Sequence, residues 1–177
     1  NNKEESYLNT RNIIGRNVIN SGTKNKSHSI FRNLGNEYAN RFNLLDYNDA
    51  LTHVSFYNYF LRPAESRGGS INNIEADNIK SYNHLLLINK ILEPNALIFA
   101  SKKARSAFHE VRIELEENKT DGLDLEKKIY DVPHPGCKWW NKEFKIKKNH
   151  SWNSNISFTD EIKINGRNKL KLILESI

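Results

Sequence analysis

The segment Lys127–Asn141, KKIYDVPHPGCKWWN, organises the predicted fold of this chain. A short apolar run at residues 129–132 is typical of a strand, and it stops at a proline. His134 stands between two prolines, and Gly136 follows them. Because proline fixes φ and glycine permits a tight backbone path, the sequence predicts a rigid turn that presents the imidazole at the end of a strand. Ligands bind at strand ends in α/β sheets, so the turn is a candidate binding site. The alternative is an ordinary turn with both tryptophans in the core.

The length and composition limit the class of protein. A chain of 177 residues suits one domain with its own core. Lys and Arg number 27 against 21 acidic residues, so the net charge of +6 favours a polyanionic partner without requiring one. The single cysteine, Cys137, excludes an internal disulfide, and with His134 it lacks the second ligand pair of a structural zinc site. We expect no metal and no cofactor.

The hydropathy pattern predicts a chain without membrane contact. No run approaches the roughly 20 apolar residues that a membrane span requires. The polar start at Asn1 does not have the pattern of a signal peptide. From these features we expect a soluble, cytoplasmic monomer.

The predicted elements alternate as in a βαβ protein. Apolar residues spaced near 3.6 predict helices, and β-branched or continuous apolar runs predict strands. Residues 1–26 are expected to be mostly loop, residues 62–70 a surface loop, and residues 151–157 a polar link. The predicted helices cover Ser27–Phe42, Glu75–Leu92, Ser101–Leu115 and Lys169–Ile177, and the predicted strands cover Leu51–Tyr57, Ala96–Ala100, Ile129–Val132 and Lys142–Lys148.

Short motifs follow one another in an order that matters more than any one of them. They are a strand ending at Asn58, a proline and arginine loop at 62–70, an apolar strand entering Ser101-Lys102-Lys103-Ala104, and a strand running into His134-Pro135-Gly136. Over roughly residues 15–141 this order resembles the uracil-DNA glycosylase superfamily. The resemblance implies a three-layer α/β fold, with a parallel sheet of about four strands flanked by helices. It also implies a single domain over residues 1–177, in which we expect the family's first strand and motif to be missing.

The resemblance assigns roles to residues at two strand ends. It places His134 in the family's second catalytic motif, with Gly136 where the family has serine or a relative. It places Asn58 where a side-chain amide reads the Watson–Crick edge of a flipped base, and Phe60 in the same base pocket. The alternative for Asn58 is a structural cap of the following turn.

The chemistry of N-glycosidic cleavage explains these residue types. Negative charge develops on the departing base, so a hydrogen bond donated to its oxygen stabilises the transition state. An imidazole held in place, such as that of His134, can supply this bond without reorganisation. The amide of Asn58 offers a donor and an acceptor together, which would distinguish uracil from cytosine.

Other residues are candidates for DNA contact. An exposed tryptophan can stack on a base, and lysines at a helix amino terminus can meet a phosphate. The alternatives are that at least one tryptophan belongs to the core and that the lysines are merely solvated. The expected DNA-binding residues are Arg62, Ser101, Lys102, Lys103, Lys138, Trp139 and Trp140.

The family's first motif, which positions the attacking water, is the main departure from the pattern. Either the sequence starts after that motif, or the segment around Gly15 is a degenerate version with Asn17 in the water-positioning role. Two other functions therefore stay open. One is a nucleic-acid-binding module without hydrolysis, and the other is an α/β domain that binds a small nucleotide or base.

Overall fold

A computed structural model describes residues 29–62, 65–66, 71–117, 129–147, 150–153, 156–158 and 160–177. The predicted loop at residues 1–26, and Asn17 with it, lies outside these residues. The chain divides into two compact units, so the single-domain organisation stays a prediction. Unit 1 draws on Asn1–Tyr57, Val132–His150 and Phe158–Ile177, and unit 2 draws on Asn58–Asp131 and Ser151–Ser157.

The described residues form helices and short strands. The helices are α1 (Ser29–Phe42), α2 (Tyr47–Thr52), α3 (Glu75–Leu92), α4 (Lys102–Glu117) and α5 (Gly166–Glu175), with a 3₁₀ turn at Lys138–Trp140. The strands are β1 (Leu97–Phe99), β2 (Ile129–Asp131), β3 (Phe144–Ile146), β4 (His150–Asn153), β5 (Ile156–Phe158) and β6 (Ile162–Ile164). No helix in the described ranges has an apolar stretch long enough to cross a membrane.

The strands pair two by two. β1 and β2 are parallel, with Leu97 opposite Ile129. β3 and β6 are antiparallel, with Ile146 opposite Ile162, and β4 pairs with β5. The predicted three-layer α/β fold with a parallel sheet of about four strands is therefore wrong. Within the described residues every sheet has two strands, and β1 and β2 form the parallel one.

The predicted strand Leu51–Tyr57, which was to end at Asn58, is also wrong. Its first two residues complete α2, and the chain from residue 53 to residue 60 makes no ladder. Asp46 explains the helix, because its carboxylate accepts hydrogen bonds from Asn48 N at 2.7 Å and Asp49 N at 3.0 Å. This cap satisfies two backbone donors of the first turn and favours helix over strand.

In unit 1, α1 packs against α2 and α5. The contact with α2 is close at Gly35, where an added Cβ would lie 2.9 Å from the carbonyl oxygen of Tyr47. The contact with α5 includes Glu37, whose side chain is 3% exposed and whose Oε1 lies 3.0 Å from Arg167 Nε. A buried carboxylate needs such a cation, since an unpaired buried charge is costly.

In unit 2, a row of aromatic rings joins the helices to the parallel strands. Ring centroids of Tyr59 and Phe99 are 5.8 Å apart, those of Phe99 and Phe108 are 5.2 Å apart, and those of Phe108 and Tyr82 are 5.2 Å apart. Aromatic contacts at these spacings stabilise a core beyond the area they bury. Helix α3 ends where Glu93 adopts a left-handed conformation, with φ of 43°, before a proline.

Apart from the strand Leu51–Tyr57, the predicted helices and strands are confirmed with small shifts of their ends. The predicted helix Glu75–Leu92 is confirmed to the residue. The polar link predicted at residues 151–157 instead contains most of β4 and β5. The confirmed helices are α1, α3, α4 and α5, and the confirmed strands are β1, β2 and β3.

Candidate functional site

The turn after β2, residues 133–137, is fixed by hydrogen bonds on both sides. Cys137 N donates to the carbonyl oxygen of His134 at 2.8 Å, which closes the turn. Asn33 Nδ2, on α1, donates to the carbonyl oxygen of Pro135 at 2.8 Å. Pro135 is fully buried, whereas His134 is exposed. The turn is therefore anchored through its proline and presents its histidine to solvent.

The ring of His134 has one nitrogen engaged. Gly136 N lies 3.2 Å from Nδ1 and donates to it. A backbone N–H can only donate, so Nδ1 acts as the acceptor, and the neutral ring then carries its proton on Nε2. Nε2 has no hydrogen-bond partner among the described residues. This geometry makes the outer nitrogen of His134 a hydrogen-bond donor available to a ligand.

The two tryptophans behave differently. Trp140 is 0% exposed and packs where α5 begins, since a Cβ added to Gly166 would lie 3.0 Å from its Cε3. It therefore has no exposed ring face for base stacking, and the core alternative holds for it. Trp139 is 38% exposed, with Lys138 Nζ 4.8 Å from its ring centroid and the Phe144 ring at 6.4 Å. Trp139 remains a candidate for stacking.

Arg62, a predicted DNA contact in unit 2, is bonded internally. Its Nε lies 3.1 and 3.0 Å from the two carboxylate oxygens of Asp77, and its Nη1 lies 2.7 Å from Glu65. Its Nη2 donates to the carbonyl oxygen of Asn72 at 2.6 Å. Hydrogen bonds from Arg62 lower the pKa of Asp77 and lower the pKa of Glu65 to about 2. Both carboxylates stay ionised, so the charge of Arg62 is compensated.

The start of α4 holds the other predicted phosphate contacts of unit 2. Lys103 Nζ donates to the carbonyl oxygen of Ile71, which ties α4 to the same loop as Arg62. Ser101 Oγ accepts from Ala104 N at 3.3 Å, the geometry of a helix cap. Lys102 is exposed and has no ion pair among the described residues. Of these three side chains, Lys102 is the one that remains available.

The described geometry does not test the predicted base pocket. Asn58 is exposed, and it does not follow a strand, which removes the reason for placing it at a strand end. The Phe60 ring packs edge to face on Tyr59, with centroids 5.2 Å apart. Asn58 and Phe60 belong to unit 2, whereas His134 belongs to unit 1. A shared pocket therefore stays a prediction, as does the role of Asn17.

Sequence reasoning missed the residues that hold the candidates in place. Asn33 was not predicted, because α1 also carries Asn36 and Asn40 and an asparagine in this helix therefore distinguishes no position. Asp77 and Glu65 were not predicted because neither belongs to a motif, and their bonds to Arg62 form only in the folded loop. Across the described residues, no three His, Cys, Asp or Glu side chains come together as a metal site requires.

Comparisons with known proteins add no neighbour to these observations. No family model matches the chain, and neither the curated proteins nor the solved structures give a significant match. The resemblance to the uracil-DNA glycosylase superfamily therefore depends on the sequence motifs alone.

Proposed function

We propose that the chain hydrolyses the N-glycosidic bond of uracil or a related damaged base in DNA, with His134 donating a hydrogen bond to the departing base. The observation that supports this most directly is the hydrogen bond from Gly136 N to His134 Nδ1 at 3.2 Å. It leaves Nε2 as a donor on an exposed ring, and the turn that carries the ring is anchored at Pro135. The proposal concerns this site and does not require the sheet that was predicted.

The chemistry needs a donor that is already in position. Charge appears on the base oxygen only as the bond to the sugar breaks, so a fixed donor stabilises the transition state more than the ground state. The prolines on either side of His134 restrict its backbone, and Cys137 N closes the turn on its carbonyl oxygen. The roles of Asn58 and Phe60 in base selection and of Asn17 in water positioning rest on the sequence resemblance alone.

The proposed DNA partner is supported by exposed cations and one exposed ring. Lys138 and Trp139 lie next to the turn, and Lys102 lies at the start of α4. The Lys138 ammonium lies over one face of the Trp139 ring, and binding of a nucleotide would exchange this contact for an ammonium–phosphate contact and a stack of the ring on the base.

Release of uracil from a single-uracil oligonucleotide tests the proposal. Removing a preorganised donor costs on the order of 10² to 10³ in rate, so His134→Ala should lose activity by about that factor. His134→Gln retains an N–H donor and should recover part of it, while DNA affinity stays within about twofold in both variants. His109→Ala, an exposed histidine on α4, is the matched control and should match the parent protein. Unchanged release by His134→Ala would exclude this role.

A nucleic-acid-binding module without hydrolysis is the second candidate. It is favoured by Lys138 Nζ at 4.8 Å from the ring centroid of Trp139, because this pair would bind a strand with no need for a water-positioning group. The same oligonucleotide distinguishes the two functions. Salt-sensitive binding without any base release would support the module, and base release would exclude it.

A further inference from the structure

The peptide unit between Pro135 and Gly136 is bonded at both ends. Its carbonyl oxygen accepts from Asn33 Nδ2 at 2.8 Å, and its N–H donates to His134 Nδ1 at 3.2 Å. A peptide unit is planar, and a trans unit points its C=O and N–H in opposite directions. The described chain contains no cis peptide bond. Fixing the carbonyl therefore fixes the direction of the N–H that meets the histidine ring.

Asn33 is well placed to control this peptide unit. It lies 102 residues before Pro135, on α1, so the bond joins the turn to a separate element of unit 1. The same helix also approaches the turn at Ile30, whose Cγ1 would lie 3.7 Å from a Cβ added to Gly136. Hydrogen bonds in a chain polarise one another, so the bond from Asn33 also strengthens the N–H as a donor.

We propose that Asn33 is a positioning residue that acts through the Pro135–Gly136 peptide to hold His134 with its proton on Nε2. The side-chain amide is the first donor of a relay, the peptide unit is the second, and the imidazole is its end. Its effect on the ring is a property of the folded protein. Its effect on catalysis rests on the proposed function, in which Nε2 donates to the departing base.

The ring nitrogens of His134 report the relay directly. In ¹⁵N-labelled protein, long-range proton–nitrogen spectra distinguish the protonated ring nitrogen from the unprotonated one. We expect the Nε2–H form to dominate in the parent protein. In Asn33→Leu, which keeps a similar side-chain shape without a donor, we expect the fraction of the Nδ1–H form to rise about two- to tenfold, the factor that one hydrogen bond supplies. Base release should fall in proportion to the Nε2–H fraction that remains, which is a smaller factor than the rise of the Nδ1–H form, with KM unchanged.

Two further variants keep the test decisive. Asn33→Asp has no donor either and repels the carbonyl of Pro135, so it should change the ring at least as much, and it replaces Asn33→Leu if that variant does not fold. Asn36→Leu alters an exposed asparagine of α1 and should leave the ring as in the parent. Parent-like ring populations in both Asn33 variants would overturn the inference.

The two readouts separate this inference from the proposed function. A changed ring in the Asn33 variants, with no base release by the parent protein, would support the positioning role and overturn the glycosylase proposal. Base release by the parent, with an unchanged ring and an unchanged rate in the Asn33 variants, would support the glycosylase proposal and overturn the positioning role. Loss of activity with an unchanged ring would also overturn the relay.

Discussion

The turn around His134 and the loop around Arg62 use their internal hydrogen bonds differently: the turn leaves a donor unbonded, whereas the loop bonds its cation. In the turn, backbone and amide donors are bonded internally, and they leave the outer nitrogen of His134 without a partner among the described residues. In the loop, the guanidinium of Arg62 is bonded to Asp77, Glu65 and a backbone carbonyl, so its charge is already compensated. The residue type alone therefore does not identify a site, because the bonding groups must also be free.

The largest expected effect concerns the core beneath the turn. Trp140 is 0% exposed and packs against the start of α5. Trp140→Ala should therefore lower the free energy of unfolding by about 3 to 5 kcal/mol, the usual cost of removing a buried aromatic side chain. Trp139→Ala, at a partly exposed ring, should cost about 1 kcal/mol or less. Urea denaturation of the two variants beside the parent protein measures both values.

The same pair of variants can break the comparison. If Trp139→Ala were as costly as Trp140→Ala, the first ring would be a structural residue, and the turn would lose its stacking candidate. Trp140→Phe provides a milder control, because the Nε1 of Trp140 makes no hydrogen bond within the described residues. Trp140→Phe should retain most of the free energy of unfolding that Trp140→Ala loses.

The second prediction concerns the acid sensitivity of the loop. Arg62 lowers the pKa of Glu65 from 4.5 to about 2, and it lowers the pKa of Asp77 as well. A carboxylate with a lowered pKa in the folded state binds its proton less readily there than in the unfolded chain. The stabilisation is thus fully present above about pH 5 and is lost as the pH falls toward 2.

A double variant isolates this contribution. The free energy of unfolding of Glu65→Gln/Asp77→Asn should fall less between pH 5 and pH 2 than that of the parent protein, because the two titrating partners of Arg62 are gone. Glu110→Gln, at an exposed glutamate of α4, should keep the acid sensitivity of the parent. Equal acid sensitivity in the double variant and the parent would show that these bonds do not stabilise the fold. In that case the charge of Arg62 would count as available.

The sequence predicted elements whose signals are local. The apolar period of α3 and the proline that follows it predicted both ends of the helix. The Pro-His-Pro sequence predicted an exposed histidine after β2. The predicted strand Leu51–Tyr57 was wrong because strand propensity depends on a neighbouring strand. The cap at Asp46 acts locally and favours a helix.

The candidate site was predicted only in part, for a similar reason. Residue types and spacing suggested His134 and the tryptophans, but burial separates Trp139 from Trp140 although they are adjacent in the chain. The bond between Asn33 and Pro135 spans 102 residues, and no local pattern indicates such a pairing. Arg62 was predicted as a DNA contact from its charge, whereas its bonds to Asp77 and Glu65 appear only in the folded loop.

The smallest expected effect is on the salt dependence of DNA binding, and it compares a lysine beside the turn with a lysine bonded to the loop. Each lysine that meets a phosphate contributes about 0.7 to 0.9 to the slope of log affinity against log salt. Lys138→Ala should lower the slope by about that amount, because its side chain is exposed and its ammonium lies over the Trp139 ring without a hydrogen-bond acceptor among the described residues. Lys103→Ala should leave the slope unchanged, because its ammonium donates to the carbonyl oxygen of Ile71. Fluorescence anisotropy of a labelled single strand across a salt series measures both. A reduced slope in Lys103→Ala would mean that this lysine exchanges its internal bond for a phosphate, and the loop would then be a second binding surface.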